Sequence, residues 1–231
     1  MIEQNLQAAP YRRIVALDIE TISIDPNVPK GALDALTGRI VCICLLIDDG
    51  STLKEVAIAS EDEAKILADF WSTVRPTDLF VGHNILDFDL CYIRQRSWIQ
   101  GVRPSRTVDL RRFYTLDVKD CMQLWCNWGF KKGVSLDALG AALGCGQKTG
   151  HGENVQEWWA IRDLDTIKAY CAQDVILAYQ IFCKLTYQEP RIPKPQQESE
   201  PSTFLAENVP AGSNRRRRRK ASAVLPMKTS A

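Results

Sequence analysis

The stretch that most constrains the fold is residues 13–21, Arg-Ile-Val-Ala-Leu-Asp-Ile-Glu-Thr, an apolar run of β type that ends on two carboxylates. Alternate residues of a strand point to the same face, so Asp18 and Glu20 are predicted to lie side by side. Their mutual repulsion favours a shared cation, and carboxylate oxygens suit a hard metal ion. Because an Asp-x-Glu arises by chance about once in a chain of this length, acidic residues further along must decide whether the pair is functional.

The segments after this strand alternate between strand and helix patterns. Residues 39–47 and 53–59 have the composition of strands, and Asp48-Asp49-Gly50 between them is a hairpin signal, so the two are predicted to pair antiparallel. Two more short strands are expected near residues 79–81 and 107–110. Helices are expected near residues 60–74, 88–99, 117–127, 135–143 and 164–185. This order predicts an α/β domain with a mixed central sheet and flanking helices.

The length and the charge distribution predict one domain with a basic tail. The chain has 231 residues, of which 45% are hydrophobic, and residues 1–190 are predicted to form the domain. Residues 191–231 are rich in Pro, Gln, Glu and Ser and are predicted to be disordered. They hold nine Lys or Arg and three Glu, a net charge of +6, which leaves −5 on the domain. Their six consecutive cations at 215–220 are expected to attract a polyanion, or to serve nuclear import in a eukaryotic host.

The cysteines and the apolar runs together predict the cellular location. The eight cysteines form no Cys-x-x-Cys pair and lie mostly in apolar segments such as residues 41–45, a pattern typical of free, buried thiols in a reducing compartment. No run approaches the roughly 18 apolar residues that span a bilayer, and residues 2–10 lack the apolar core of a signal peptide. We therefore expect a cytoplasmic protein, or a nuclear one in a eukaryotic host, with no membrane partner.

Two further acidic sites follow the first strand. Residues 81–90, Val-Gly-His-Asn-Ile-Leu-Asp-Phe-Asp-Leu, run from a short apolar strand into a helix whose first turn contains Asp89. Tyr170 and Asp174 are four residues apart on the last helix, and they therefore lie one turn apart on the same face. A tyrosine hydroxyl above a carboxylate can position a water molecule.

These three sites resemble the exonuclease motifs of the DnaQ-like superfamily in order and in spacing. The motifs are Asp-Ile-Glu-Thr at 18–21, the segment from Asn84 to Asp89, and Tyr-x-x-x-Asp at 170–174. The tyrosine places the chain in the branch that has four acids and a tyrosine. The residues of the first and third motifs are most similar to those of the proofreading domain of family-B DNA polymerases. The resemblance covers about residues 11–187, so the chain is expected to be the exonuclease domain alone, without a polymerase palm or fingers.

The resemblance implies a ribonuclease-H-like fold and two divalent cations, Mg²⁺ or Mn²⁺. The implied metal ligands are Asp18, Glu20, Asp89 and Asp174, and Tyr170 is implied to orient the attacking water. Physical chemistry agrees, because four crowded carboxylates need compensating charge, which two divalent ions supply. Two ions about 3.5–4 Å apart can stabilise both the attacking hydroxide and the leaving 3′ oxygen.

Several neighbouring residues have a functional and an ordinary interpretation. Asp87 lies two residues before Asp89, but the Phe-Asp pairing of the motif selects Asp89 and leaves Asp87 as a solvated residue at the helix start. Asp109 on the expected fifth strand is interpreted as structural.

Three residues are candidates for binding the substrate. His83 and Asn84 either touch the terminal nucleotide or cap the helix that follows them, and the sequence leaves both interpretations open. Lys148 lies in a glycine-containing loop, where it either contacts a phosphate or is a solvated loop lysine.

The predicted function is a metal-dependent 3′-5′ exonuclease that hydrolyses terminal phosphodiesters of nucleic acid, with single-stranded DNA preferred, and releases nucleoside monophosphates. An exoribonuclease similar to ribonuclease D is the nearest alternative, because ribonuclease D shares the tyrosine-type motifs. A non-catalytic nucleic-acid-binding module on the same fold is a second alternative, although such modules usually lose metal ligands. An endonuclease of the wider ribonuclease-H-like group is disfavoured by the tyrosine-type third motif.

Overall fold

The computed structural model describes residues 13–129, 133–147 and 154–191. Its centre is a five-stranded sheet with the order β3-β2-β1-β4-β5. The strands are β1 (Ile14–Ser23), β2 (Gly38–Asp48), β3 (Leu53–Ala59), β4 (Leu79–Gly82) and β5 (Val118–Asp120). β2 pairs antiparallel with both β1 and β3, whereas β4 pairs parallel with β1 and β5. The sheet is therefore mixed, and β1 is its central strand.

Six α-helices flank the sheet in the described residues. They are α1 (Glu63–Thr73), α2 (Asp89–Ile99), α3 (Cys121–Cys126), α4 (Leu136–Leu143), α5 (Val155–Ala160) and α6 (Leu164–Leu185). Side-chain oxygens of Asp62, Ser135 and Asp163 accept hydrogen bonds from main-chain N–H groups in the first turns of α1, α4 and α6. These caps satisfy helical donors that have no partner within the helix, so they fix where the helices begin.

The core has two layers because β1 is buried on both faces. Ile14, Ala16 and Ile22 of β1 pack in the layer that contains α6, whereas Val15 and Leu17 pack in the layer of α1 and α2. Residues of one parity share a face of a strand. The alternation therefore places Asp18 and Glu20 on the face that α6 covers.

Most predicted elements agree with the structure, including β2, β3 and the bounds of α6, but the fifth strand was placed wrongly. Residues 107–110 form no strand, and β4 instead pairs with Val118–Asp120. The side chains of Val108 and Leu110 pack against the layer of α1 and α2, so their apolar alternation reflects a packed loop. Asp109 accordingly lies outside the sheet and forms an ion pair with Arg111. The short helix α5 was not predicted.

The strand order and the directions of pairing give the ribonuclease-H-like arrangement, and the predicted fold class is confirmed. In this arrangement the two carboxylates of β1 lie on the central strand of the sheet. None of the helices that the structure describes is long and apolar enough to cross a membrane.

Candidate active site

The first acidic pair lies on the α6 side of β1. Glu20 is buried, with 7% of its surface exposed, and Asp18 is half-buried. One oxygen of each carboxylate and the Sγ of Cys171 on α6 all lie within 4.8 Å of one another. The Cys171 thiol is 3.4 Å from the main-chain oxygen of Asp18 and 3.7 Å from its Oδ2. The two carboxylates are thus side by side, as the strand alternation predicted, and α6 packs directly on them.

Asp89 contacts the same part of β1 from the start of α2. It is the first residue of α2 and is 3% exposed, and its Oδ1 accepts a hydrogen bond from the main-chain N–H of Ile19 at 3.0 Å. β4 pairs with β1 only from Ile14 to Ala16. The end of β1 therefore extends beyond β4, and the Asp89 carboxylate binds the N–H group exposed there. This bond holds the Asp89 carboxylate against Ile19, the residue between Asp18 and Glu20.

The electrostatics of Asp89 show that negative charge is concentrated here. Burial raises the pKa of Asp89 to about 7, and the nearby charges of Asp120 and Asp174 add to this rise. Hydrogen bonds from main-chain N–H groups oppose it but are weaker than the effect of burial. A carboxyl group with a pKa raised in this way is stabilised by a cation.

α6 contributes the third acidic site. Asp174 and Tyr170 are both buried, and one helical turn separates them. The Tyr170 ring lies 5.6 Å from the ring of Trp158 on α5, measured between centroids. α6 brings Cys171 against Asp18, and Asp174 acts electrostatically on Asp89, whose carboxylate binds the Ile19 N–H group. The four predicted acids thus lie in one region, which we call the carboxylate centre.

Asp120 at the end of β5 was missed in the sequence, and it holds the loop that carries Asp89. It is 2% exposed, and its carboxylate accepts hydrogen bonds from the main-chain N–H groups of Asn84 at 2.9 Å and Leu86 at 3.1 Å. It also caps α3 by accepting from Met122 at 2.9 Å. The detectable signal was this capping position before Cys121. The predicted helix of residues 117–127 obscured it, because its first residues form β5 and the helix begins only at Cys121.

The candidate substrate-binding residues have structural partners of different kinds. Asn84 adopts a left-handed conformation with φ 64°, and its main-chain oxygen accepts from the N–H of Phe88 at 3.0 Å. The Nε2 of His83 lies 2.8 Å from the main-chain oxygen of Val134. The N-cap residue of α2 is Phe88, and no side chain caps this helix, so the structure does not support the capping interpretation of His83 and Asn84. Lys148 lies outside the described residues.

Asp87 differs from Asp89 in its surroundings. It is exposed, and its Oδ2 lies 3.3 Å from the Nε2 of Gln123 on α3. The structure therefore directs Asp89 into the carboxylate centre and leaves Asp87 at the surface.

The carboxylate centre has the chemistry of a site for hard divalent cations. Its donors are carboxylate oxygens, which Mg²⁺ and Mn²⁺ prefer. The raised pKa of Asp89, caused first by burial and then by the nearby carboxylates of Asp120 and Asp174, fits the same conclusion. A divalent cation at this position would favour the ionised form of the group.

Fold and site together define a class, namely hydrolases of ribonuclease-H-like fold with clustered carboxylates at the end of the central strand. The family comparison is more specific. Residues 33–217 match the family described as predicted 3′-5′ exonucleases related to the exonuclease domain of PolB, and the chain belongs to this family. The matched range contains Asp89, Tyr170 and Asp174 but begins after Asp18 and Glu20, which the fold joins to the other three.

No curated protein matches the chain. Among solved structures, E. coli exonuclease I in complex with a 5cy-dA13 oligonucleotide is similar, with a TM-score of 0.46 and 12% sequence identity. The similarity covers 78% of this chain and 42% of the exonuclease I chain. The chain therefore spans less than half the length of that relative.

Proposed function

We propose that the protein hydrolyses the 3′-terminal phosphodiester of single-stranded DNA with two divalent cations, Mg²⁺ or Mn²⁺, and releases nucleoside monophosphates. The observation that carries this proposal is the meeting of four carboxylates from β1, α2 and α6, with the pKa of Asp89 raised to about 7. The ligands would be Asp18, Glu20, Asp89 and Asp174. When bound, the two cations would activate water and stabilise the leaving oxygen.

In this proposal, the chain's own residues hold and orient the reactants. Asp89 is fixed by the Ile19 N–H group and by the loop that Asp120 anchors, so its carboxylate needs little rearrangement to accept an ion. Tyr170 would orient the attacking water through its phenol, which is positioned by the contact of its ring with Trp158. Groups that are held in place before the reaction stabilise the transition state more than mobile groups do, because they need not reorganise during the reaction.

A surface of aromatic and arginine side chains on the segments around β5 and α3 is consistent with a single-stranded substrate. We define the aromatic–arginine surface as Arg111, Arg112, Phe113, Tyr114 and Trp128. Phe113 is 65% exposed, and its ring lies 5.1 Å from that of Trp128. Arg112 lies over the Phe113 ring and donates to the main-chain oxygen of Trp128 at 2.8 Å. An exposed ring that packs on a partly buried one, beside guanidinium groups, suits an unpaired base and the phosphates next to it.

The backbone of this surface is strained where its rings meet. Phe113 has φ 65° and Trp128 has φ 59°, values that cost an L-residue on the order of 1–3 kcal/mol each. Trp128 follows α3, whose Gln123 contacts Asp87 in the loop that leads to Asp89. This contact links the element that precedes Trp128 to the loop that carries Asp89.

The experiment that tests the proposal uses matched DNA and RNA oligonucleotides labelled at the 5′ end, with Mg²⁺, Mn²⁺ or EDTA. The expected result is a ladder of shortened DNA with either metal, no shortening in EDTA, and resistance of a strand with a blocked 3′ terminus. Circular single-stranded DNA should survive. Faster shortening of RNA than of DNA would replace the proposed substrate with RNA, and cleavage of the circle would contradict attack from the 3′ end.

A further inference from the structure

Three thiols lie directly beside the carboxylate centre. In the pairing of β1 with β2, Cys42 is opposite Glu20 and Cys44 is opposite Asp18. Residues that are opposite each other on paired strands point to the same face of the sheet. Cys171 of α6 completes the group, which we call the thiol cluster. All three are at most 2% exposed, so the core holds three soft sulfur donors on the face that carries the hard oxygen donors.

The spacing of the sulfurs fits a single cation. The three Sγ atoms lie within 4.8 Å of one another, and those of Cys42 and Cys44 are 3.7 Å apart. A tetrahedral zinc site with Zn–S bonds of about 2.3 Å places its sulfurs roughly 3.8 Å apart. The two sulfurs on β2 are thus already at the required distance. The Cys171 Sγ would have to move by about 1 Å or less, which a small rotation of its side chain allows.

A fourth donor and a route to the cluster are both present. The main-chain oxygen of Lys168 lies 3.6 Å from the Cys44 Sγ, and Asp18 Oδ2 lies 3.7 Å from the Cys171 Sγ. A cavity of about 160 Å³ has Cys44, Ala172 and Val175 among the residues in its wall. The cavity lies between β2, β3 and α6, and it is the route by which an ion would reach Cys44.

We propose that the thiol cluster binds one thiophilic d¹⁰ cation of the Zn²⁺ class, and that this ion inhibits the exonuclease. In the binding step three S–H bonds break, the protons pass to the buffer, three metal–sulfur bonds form, and no atom changes oxidation state. The Cys171 sulfur then points its lone pair at the ion and no longer donates to Asp18. The inhibition rests on the proposed function of the carboxylate centre, whereas the binding does not.

The binding experiment uses Cd²⁺ as a probe, because cadmium thiolates absorb in the ultraviolet by charge transfer from sulfur. The full chain, reduced with a phosphine and kept in millimolar Mg²⁺ to occupy oxygen sites, is titrated with Cd²⁺. The expected result is one saturating absorption step per chain, which Cys42→Ala and Cys44→Ala remove. Cys91→Ala and Cys145→Ala, which alter thiols outside the cluster, should retain it. Wild-type absorption in Cys42→Ala, or none in the wild type, would overturn the proposed site.

The activity experiment separates this site from the carboxylate centre. With Mg²⁺ in excess, micromolar Zn²⁺ should inhibit the wild type, and Cys44→Ala should keep the basal rate while needing at least about tenfold more Zn²⁺. Melting curves check that each variant is folded. Equal sensitivity of the wild type and Cys44→Ala would show that Zn²⁺ acts at the carboxylates, which overturns inhibition through the thiols. A cadmium step in a chain that cleaves no substrate would support the thiol site while contradicting the proposed function.

Discussion

The carboxylate centre and the aromatic–arginine surface are built in opposite ways, although the loop before α2 and the helix α3 connect them. The centre is largely buried and is assembled from a strand and two helices, and a main-chain N–H group of the strand holds the carboxylate of Asp89. The surface is exposed and lies on irregular backbone with positive φ at Phe113 and Trp128. Charges that act on a reacting phosphate must be held in place before the reaction. A surface that accepts strands of many sequences works through stacking and charge, which need no such fixed geometry.

The largest effect is expected at the centre. Asp18→Ala or Asp174→Asn should abolish cleavage, because each removes a ligand from the metal site that we propose. The fold should persist, and the melting temperature of metal-free protein should be unchanged or higher, since carboxylate repulsion is relieved. Cleavage of a 5′-labelled strand measures the loss.

The matched control for these variants is Asp87→Ala, which changes an acid two residues from Asp89 but at the surface. It should be far milder than Asp89→Ala. Wild-type turnover in Asp18→Ala, with contaminating nuclease excluded, would contradict the proposal that the carboxylate centre is the active site. A larger loss from Asp87→Ala than from Asp89→Ala would show that the second motif has been aligned wrongly.

The next effect is expected at Tyr170, which belongs to the centre without being a metal ligand in the proposal. Tyr170→Phe keeps the ring against Trp158 and removes only the hydroxyl that would orient water. Turnover should fall by roughly 10- to 1,000-fold, with little change in metal affinity. A collapse of metal binding comparable to that of Asp174→Asn would mean that the phenol serves the metal site. An unchanged rate would return Tyr170 to a packing role.

Acid should weaken metal binding at the centre. The pKa of Asp89 is raised to about 7 by burial and by neighbouring carboxylates, so the group is protonated below that pH and ionised above it. A metal ion must displace this proton. The Mg²⁺ concentration for half-maximal rate should therefore rise up to about tenfold from pH 7 to pH 6, which a Mg²⁺ titration at each pH measures. A constant value over this range would show that Asp89 is already ionised.

The comparison also explains what the sequence could reveal. The centre lies on long, strongly periodic elements, so strand alternation placed Asp18 beside Glu20, and helical spacing placed Tyr170 beside Asp174. β5 has three residues, too few to show a period, and residues 107–110 mimic a strand because Val108 and Leu110 pack against the core. Asp120 gains its role only through tertiary bonds to Asn84 and Leu86.

The sequence did not predict the aromatic–arginine surface, and the reason is again that its residues come together only in the folded chain. Phe113 and Trp128 are fifteen positions apart and meet only through the fold, with positive φ values that no local pattern indicates. The thiol cluster likewise needs the pairing of β1 with β2 and the packing of α6 before its three members become neighbours. Sequence periodicity finds residues within one element, whereas contacts between irregular segments require the folded chain.

A smaller effect, on affinity and not on chemistry, is expected from the surface. Phe113→Ala removes an exposed ring, and stacking of one base is worth about 1–3 kcal/mol. The KM for a twelve-nucleotide single strand should rise by about 10-fold, while kcat and the cleavage of a dinucleotide stay unchanged. Steady-state rates on the two substrates measure this difference.

The matched control for the surface is Trp98→Ala. Trp98 is also exposed and also stacks with an arginine, Arg94, but it lies near the end of α2 away from Asp89. It should leave both substrates unaffected. An equal rise in KM from the two variants would indicate a general effect of surface charge and aromaticity, and the aromatic–arginine surface would lose its special role.

The smallest effect on turnover is expected from the basic tail. The tail would bind the substrate by charge, whereas the aromatic–arginine surface would bind it by stacking. A deletion that begins after Arg191 keeps the contact of that residue with the buried Asp48, so the contacts that the structure describes up to that residue are retained. At saturating substrate kcat should not change, because no residue of the carboxylate centre is removed. Affinity for a single strand should fall. If all six cations of residues 215–220 engage phosphates, the slope of log K against log salt should flatten by up to about 4, at roughly 0.7 per contact. An unchanged slope would show that the cations do not serve the substrate, and would direct attention to an import receptor or another protein partner.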